Sequence, residues 1–291
     1  MECTSRFTAF SLNRLRELIA LAFVLLGFSS VLNGAEFRMV PQNPQFPTAF
    51  SVYLIGEIKR GDYEKFLGLL QQHGTKIRAI VLRSQGGNAY EAIKIGRAVR
   101  ALMLDSSAPI NDQGCTLTDR EAGINARPCT CASACFFIFV AGVRRTGLQL
   151  VLHRARFTSE EMAALSHDEY KGEYDKVLQA TKAYLREMDV PDKFYSQMIA
   201  VSSRESKKVS DADALELMNI PASDEWLTAR CGMFTAEEYH ALSQFYIRKS
   251  QGAAFKQLKN KMDTINLCRN DRIDEAREIA FKKFQARELT R

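Results

Sequence analysis

Apolar and polar positions along the first part of the chain follow the period of a strand in some segments and the period of a helix in others. Apolar and small residues alternate over residues 49–58 and predict a strand, and residues 62–72 carry apolar side chains at helical spacing. Residues 77–82 form a nearly continuous apolar run rich in β-branched side chains, which is typical of a strand buried on both faces of a parallel sheet. The order of these elements predicts a β/α unit.

The same alternation continues through the middle of the chain. The Gly86-Gly87 turn is followed by Asn88, which is suited to cap a helix that we expect to reach about residue 104. We interpret the polar stretch at 105–128 as a surface insertion, and we predict a helix at 133–141 and a strand at 148–153 after it. Strands and helices that alternate with short turns are typical of the α/β class.

From residue 159 onward the pattern is almost entirely helical. We therefore divide the chain into an N-terminal segment (1–35), an α/β domain (36–220) that begins with an extended leader, and a helical C-terminal extension (221–291). Helices are predicted at about 159–190, from 191, at 210–218 and from 235 to the end.

The N-terminal segment has the pattern of a secretory signal peptide. Arginines precede the apolar run Leu18–Phe28, and small residues follow it up to Ala35. Cleavage after Ala35 would place Asn33 where a small residue is preferred, so an uncleaved anchor formed by residues 18–32 is the alternative. We expect an exported, periplasmic protein, anchored to the inner membrane only under the second interpretation.

Composition and charge exclude several classes of function. The 291 residues are 46% hydrophobic and 25% charged, which is typical of a folded protein. The net charge is +6, but basic and acidic residues are interspersed, so we expect no nucleic-acid partner. A membrane contact is expected only if the N-terminal segment is retained, since no later apolar run is long enough to cross a bilayer. The sequence has no Walker-type glycine-lysine loop, and hence no ATPase motif of its own.

The cysteines after residue 35 are even in number, and in an exported protein they predict up to three disulfide bonds. Of the alternative pairings we prefer Cys115 with Cys129, which closes the insertion, and Cys231 with Cys268, which ties down the last helices.

Cys131 and Cys135 then remain, two residues before and two residues after Ser133. They are either packed thiols or a third disulfide bond that clamps the serine's loop. Their spacing, and the lack of a histidine close by in the sequence, argue against zinc. We expect no metal and no other cofactor.

Ser133 is the residue that points most directly to chemistry. It lies between two small residues at a predicted strand-to-helix transition, where a nucleophile is surrounded by free backbone N–H groups. The N–H of Ala134 and one from the Gly86-Gly87 turn are candidate donors for an oxyanion hole. His153, at the end of the next predicted strand, is the candidate base. This arrangement predicts acyl transfer.

Three segments carry a resemblance to a known family. Residues 80–92 (IVLRSQGGNAYEA), 132–142 (ASACFFIFVAG) and 151–153 (VLH) resemble motifs of the proteolytic subunit of the Clp protease and of the wider Clp protease and crotonase superfamily. The Cys-x-Ser-x-Cys setting is similar to that of exported bacterial proteins of this superfamily, and the resemblance covers about residues 49–220. It implies a spiral of ββα units, a homo-oligomer, and a serine peptidase acting on a peptide or protein substrate.

Carried over by position, the resemblance assigns roles that agree with those inferred from the residues themselves. Ser133 matches the family's nucleophile and His153 its general base, while the N–H groups of Gly87 and Ala134 match its oxyanion hole.

The third residue of the family's triad, an aspartate, has no match in this chain. Ser206 is its nearest counterpart by register. Glu205 or Asp211 would orient His153 after a small shift, because the role needs only an acceptor for the second imidazole N–H. Loss of this acid weakens hydrolysis strongly, by about 10⁴-fold in a triad enzyme.

The missing acid leaves alternatives. One is a catalytically inactive protein that binds a peptide or a partner protein in the same groove. A serine–lysine mechanism would use Lys94 or Lys59, and acyl-coenzyme A chemistry fits the resemblance but not an exported protein. Arg144 and Arg145 are interpreted as a solvated turn or as a clamp for a substrate or a neighbouring subunit.

Overall fold

The computed structural model describes residues 34–45, 48–111, 129–154, 166–202, 205–218, 221–248 and 252–289. All of these residues belong to one unit, Gly34–Arg291. Residues 1–33, which contain nearly all of the predicted signal peptide or anchor, lie outside the described residues. Cys115 and most of the predicted insertion lie outside them as well. No helix of the described ranges combines the length and the apolar character needed to cross a membrane.

The described strands form two sheets. They are β1 (Glu36–Pro41), β2 (Phe50–Ile55), β3 (Ile77–Arg83), β4 (Asp105–Ser107), β5 (Cys131–Ala132), β6 (Arg145–Thr146), β7 (Leu150–Leu152) and β8 (Lys207–Lys208). The larger sheet has the order β1-β2-β3-β4-β6, in which only β1 pairs antiparallel. The smaller sheet has the order β5-β7-β8. Together with the helices, these sheets confirm the α/β class; the spiral of ββα units stays a prediction.

Helices α1 (Asp62–His73) and α2 (Ala89–Ala101) flank β3 in the chain. One face of β2 and β3 is apolar, and its side chains, such as Val52 and Leu82, are fully buried in the main core. Asn88 begins α2 as the sequence predicted, because its Oδ1 accepts a hydrogen bond of 3.0 Å from the N–H of Glu91.

Helix α3 (Ala134–Ala141) belongs to the main core, and all eight of its residues are buried. A helix that is apolar on every side is stable only when protein surrounds it. Its first turn follows β5 directly, and β5 is bridged to the end of β3 by a parallel pairing of Ser84 with Cys131. The start of α3 is therefore held where the two sheets meet.

The interpretation of residues 105–128 as a surface insertion is wrong at its beginning. Asp105–Ser107 form the strand β4, which lies between β3 and β6. Ser106 is buried and its hydroxyl donates a hydrogen bond of 2.6 Å to the carbonyl of Phe139. This strand was not predicted because its residues are polar. Their polar groups form hydrogen bonds within the protein, and a search for hydrophobic patterns does not detect such a strand.

The region after residue 166 is almost entirely helical. The helices are α4 (His167–Glu187), α5 (Asp192–Ala200), α6 (Asp211–Met218), α7 (Pro221–Cys231), α8 (Ala236–Ile247) and α9 (Ala253–Phe284), followed by a π-helical turn at Gln285–Leu289. Helix α4 begins at His167, where Ser166 and Glu169 form a capping box, and the first residues of the helix predicted from 159 lie outside the described residues. Helix α7 lies in the predicted helical extension but was not assigned there as a separate helix, although a proline at its first position is a common helix start.

The long helix α9 is anchored to the α/β body by Arg277, which is only 4% exposed. Its guanidinium donates hydrogen bonds to the carbonyls of Met103 and Arg78 and pairs with Asp105 at 3.1 Å. A separate small core forms between α8, α9 and the segment before α8; it contains Phe234, Leu242, Phe255 and Ile265. The predicted boundary at residue 221 stays a prediction.

Candidate active site

Ser133 forms the junction between β5 and α3, and its backbone has an unusual conformation. Its φ is 56° and its ψ is −124°, a region that residues other than glycine rarely adopt. Its N–H donates to the carbonyl of Val151 at 2.9 Å, and its own carbonyl accepts from the N–H of Phe136. The half-buried side chain makes no capping hydrogen bond to the helix. The hydroxyl is therefore not occupied by the role that serine usually has at this position.

The Gly86-Gly87 turn packs directly against Ser133. Both glycines have positive φ, of 100° and 133°. A Cβ on Gly86 would stand 2.6 Å from the Cβ of Ser133, and one on Gly87 would stand 2.1 Å from the carbonyl oxygen of Ile58. Any larger residue at either position would have to displace these neighbours, so the close approach of the turn depends on glycine.

Two backbone N–H groups beside Ser133 have no acceptor among the described residues: those of Gly87 and Ala134. The N–H of Gly86 is different, because it donates to Ser84 Oγ at 3.0 Å. Gly86 thus shapes the turn, while Gly87 and Ala134 are the groups with free donors. Ala134 also begins α3, where the helix dipole favours negative charge.

His153 follows the end of β7, and parallel pairing with β5 brings it towards the start of α3. The register joins Ala132 to Val151, so Ser133 lies one residue and His153 two residues beyond the last pair of these neighbouring strands. The ring is half-buried, and Nδ1 lies 2.9 Å from the carbonyl oxygen of Arg154. A carbonyl only accepts, so Nδ1 donates in this contact, and the neutral tautomer with its proton on Nδ1 has Nε2 as a proton acceptor. Among the described residues His153 makes no hydrogen bond to Ser133.

Neither candidate acid reaches His153. Strand β8 pairs antiparallel with β7, joining Leu152 to Lys207, and one further step of this register sets Ser206 opposite His153. This is the counterpart that the sequence indicated. Glu205 is exposed just before it, and Asp211 is exposed at the first position of α6. The carbonyl of Arg154 takes the place of a carboxylate, and a backbone acceptor of this kind has no signature in the sequence.

The two lysines considered for a serine–lysine mechanism are engaged elsewhere. Lys94 forms an ion pair with Glu91 at 2.9 Å, and Lys59 lies 3.7 Å from Glu57. The side chain of Glu91 is almost fully buried. Burial alone would raise its pKa, but the N–H groups of Tyr63 and Gly61 and the Lys94 ammonium together lower the pKa below its ordinary value.

Cys131 and Cys135 form a disulfide bond across the serine, with their Cα atoms 5.2 Å apart. The interpretation of these residues as packed thiols is therefore wrong. Cys231 and Cys268 form the second described disulfide, the pairing that we preferred from the sequence. Cys129 is also disulfide-bonded, while Cys115 lies outside the described residues. No cluster of three or more His, Cys, Asp or Glu suited to a metal ion occurs within the described ranges.

Arg144 and Arg145, which the sequence suggested as a solvated turn or a clamp, differ sharply from each other. Arg144 is exposed and pairs with Asp105 at 2.7 Å. Arg145 is buried, so the interpretation as a solvated residue is wrong for it. Its guanidinium donates to three backbone carbonyls, those of Gly142, Leu217 and Met188. It is a clamp within the chain, because it joins the end of α3 to the ends of α4 and α6.

Comparison with known proteins gives only distant similarity. Among solved structures the chain is similar to ClpP1 from Listeria monocytogenes, at 14% identity and a TM-score of 0.39, covering 58% of this chain and 86% of that chain. A point mutant of ClpP1 from the same organism gives 16% identity and a TM-score of 0.40, with the same coverage. No protein-family model and no curated protein matches the chain. Similarity at this level carries no conclusion about the chemistry of the site.

Proposed function

We propose that this chain is an exported serine hydrolase that cleaves peptides. Ser133 Oγ attacks the carbonyl carbon, and His153 Nε2 takes the hydroxyl proton and later gives it to the leaving amine. The N–H groups of Gly87 and Ala134 bind the oxyanion that forms in the tetrahedral intermediate. Water then releases the acyl group from Ser133 by the same steps.

The observation that carries this proposal is the backbone of Ser133. A serine that only caps a helix has an extended backbone and uses its oxygen to accept an N–H from the first turn. Ser133 instead has a φ of 56° and leaves the hydroxyl uncapped. Strain of this kind in a residue other than glycine is concentrated at functional sites, and here free N–H groups adjoin it. The arrangement fits a nucleophile better than a structural serine.

The substrate class and the location rest on separate arguments. Peptides are proposed because the motifs around Ser133 and His153 resemble those of a peptidase family. Export is proposed because the described residues hold disulfide bonds, which form and persist in oxidising compartments. We also propose that the chain forms a homo-oligomer. Light scattering on the purified protein measures the mass of the particle and so tests this proposal.

A fluorophosphonate probe tests the nucleophile, because it reacts covalently with an activated serine. We expect the full chain to be labelled and Ser133→Ala to lose the label, while Ser243→Ala, a control at an exposed serine on α8, keeps it. His153→Ala should slow labelling by about 10²- to 10⁴-fold, as expected for loss of a general base. Equal labelling of Ser133→Ala and the unmodified chain would contradict the proposal.

A second function is favoured by one specific observation. His153 is oriented by a neutral carbonyl rather than by a carboxylate, and it makes no hydrogen bond with Ser133 among the described residues. A neutral acceptor stabilises an imidazolium less than a charged one does. A protein that binds peptides at this site without cleaving them would fail to react with the probe yet would still retain a peptide. Binding of a peptide library to the unlabelled chain distinguishes this case.

A further inference from the structure

The disulfide bond between Cys131 and Cys135 encloses the candidate nucleophile. Cys131 lies in β5, Cys135 lies in the first turn of α3, and Ser133 is midway between them. Both cysteines are 0% exposed. A bond that is closed to solvent and spans a separation of four residues constrains the backbone of the turn directly.

The turn at Ser133 needs such a constraint. The chain passes from strand to helix at this one residue, since β5 ends at Ala132 and α3 begins at Ala134. The change of direction forces φ to 56°, which costs free energy in a residue with a Cβ. Without a restraint, the two ends of the turn can separate and allow φ to return to a negative value.

Hydrogen bonds restrain mainly one side of this turn. On the strand side, the N–H groups of Cys131 and Ser133 donate to carbonyls of β7 and the residue before it. On the helix side, the N–H of Phe136 donates only to the carbonyl of Ser133 itself. The disulfide is the covalent link, other than the backbone, that joins the helix side to the strand side.

We propose that the Cys131–Cys135 disulfide is a positioning device that holds Ser133 in its reactive conformation, so that the hydrolase is competent only when this bond has formed. The inference rests on the proposed function of Ser133 and deepens it. Cys131 and Cys135 act through Ser133 and do not touch the substrate.

The burial of the bond determines when it must form. Reduction by a dithiol such as dithiothreitol adds two electrons and two protons to the bond, gives two thiols, and oxidises the reagent to its cyclic disulfide. Attack requires access to a sulfur atom, and neither sulfur of the folded chain is exposed. The bond therefore has to form while the chain folds, and a chain that folds in a reducing compartment is expected to be inactive.

The test compares two disulfides of the same chain. The double variant Cys131→Ala with Cys135→Ala removes the bond at Ser133, and Cys231→Ala with Cys268→Ala removes a bond at the C-terminal helices. We measure the labelling rate of Ser133 against fluorophosphonate concentration, which separates the reaction step from reversible binding. The first variant should lose about tenfold or more in the reaction step with little change in binding, because strain at one residue corresponds to about 5- to 150-fold in population. The second variant should stay within about twofold of the unmodified chain.

Two further measurements keep the result decisive. If the first variant does not fold, the unmodified chain folded in dithiothreitol supplies the dithiol form, with mass spectrometry to count free thiols. If the unmodified chain is not labelled at all, the proposed function fails. A crystal structure of the Cys131→Ala, Cys135→Ala variant then still tests whether the disulfide holds the backbone of Ser133. We expect φ of Ser133 to leave the positive region in that structure. Unchanged labelling by the first variant, or an unchanged φ, would overturn the inference.

Discussion

The contact between Gly86 and Ser133 predicts a graded effect of alanine at three glycines. Gly172 lies in the exposed middle of α4, with nothing near its missing Cβ. Gly56 has a φ of 93° but also has no atom within 4 Å of a Cβ. Gly86 combines a φ of 100° with a distance of 2.6 Å from its Cβ position to the Cβ of Ser133. The three positions separate helix propensity, backbone strain and steric contact.

Each position has its own expected free energy of unfolding. Gly172→Ala should stabilise the chain by about 0.5–1 kcal/mol, because alanine loses less backbone entropy in a helix. Gly56→Ala should destabilise it by about 1–2 kcal/mol, the cost of a left-handed conformation in a residue with a Cβ. Gly86→Ala adds overpacking of about 1–3 kcal/mol to the same strain and should destabilise by about 2–5 kcal/mol.

Urea unfolding followed by circular dichroism measures the three values, and fluorophosphonate labelling of the folded variants measures the site. Gly86→Ala should slow labelling because its new methyl group pushes against the Cβ of Ser133. Gly56→Ala and Gly172→Ala should label at the rate of the unmodified chain. If Gly86→Ala matches Gly56→Ala in both stability and labelling, the turn does not pack against Ser133, and the proposed oxyanion hole is refuted with it.

Other expected outcomes follow from charged and covalent contacts. Burial and the nearby guanidinium of Arg100 lower the pKa of Arg145 to about 9. Arg145→Lys keeps a buried charge but loses hydrogen bonds to backbone carbonyls. Urea unfolding of this variant should therefore show a loss of about 2–4 kcal/mol in the free energy of unfolding. Arg144→Lys, its exposed neighbour, should change stability by less than about 1 kcal/mol, and an equal loss in both would contradict the buried clamp. The folded pKa of Glu91 is lowered, so the stability advantage over Glu91→Gln should be complete above its ordinary pKa and disappear as pH falls through the folded value; a constant difference between pH 7 and pH 3 would refute it. Cys231→Ala with Cys268→Ala opens a loop of 37 residues and should cost about 4 kcal/mol in thermal unfolding, whereas an unchanged unfolding temperature would show that this bond contributes little.

The elements that the sequence predicted well are those with a strong local signal. Strand β3 and helix α2 have a continuous apolar run and a capping residue, and both are observed close to their predicted bounds. The short strands β4, β6 and β8 were missed because two or three residues carry no readable period. Their pairing is decided by neighbours that are distant in the chain.

The candidate site divides in the same way. Ser133, His153 and the glycine turn could be identified from the sequence because they stand at the ends of predicted elements. The register of β5 with β7 brings Ser133 and His153 towards each other. The group that accepts the hydrogen bond from His153 Nδ1 is a backbone carbonyl. Every residue has one, so the sequence could not indicate this partner. The disulfide at Cys131 and the burial of Arg145 depend on how the chain is packed, and the sequence left both open.

The burial of all of α3 has a consequence for any attempt to change the specificity of the proposed activity. Ser133 directly precedes this buried helix, so a substitution along α3 is expected to change both the position of Ser133 and the stability of the chain. Variation is better tolerated at exposed positions close to Ser133 and His153 in the chain or in the sheet, such as Gln85 and the β8 residues Lys207 and Lys208. A library that aims at new substrates should therefore leave α3 untouched and sample these exposed positions.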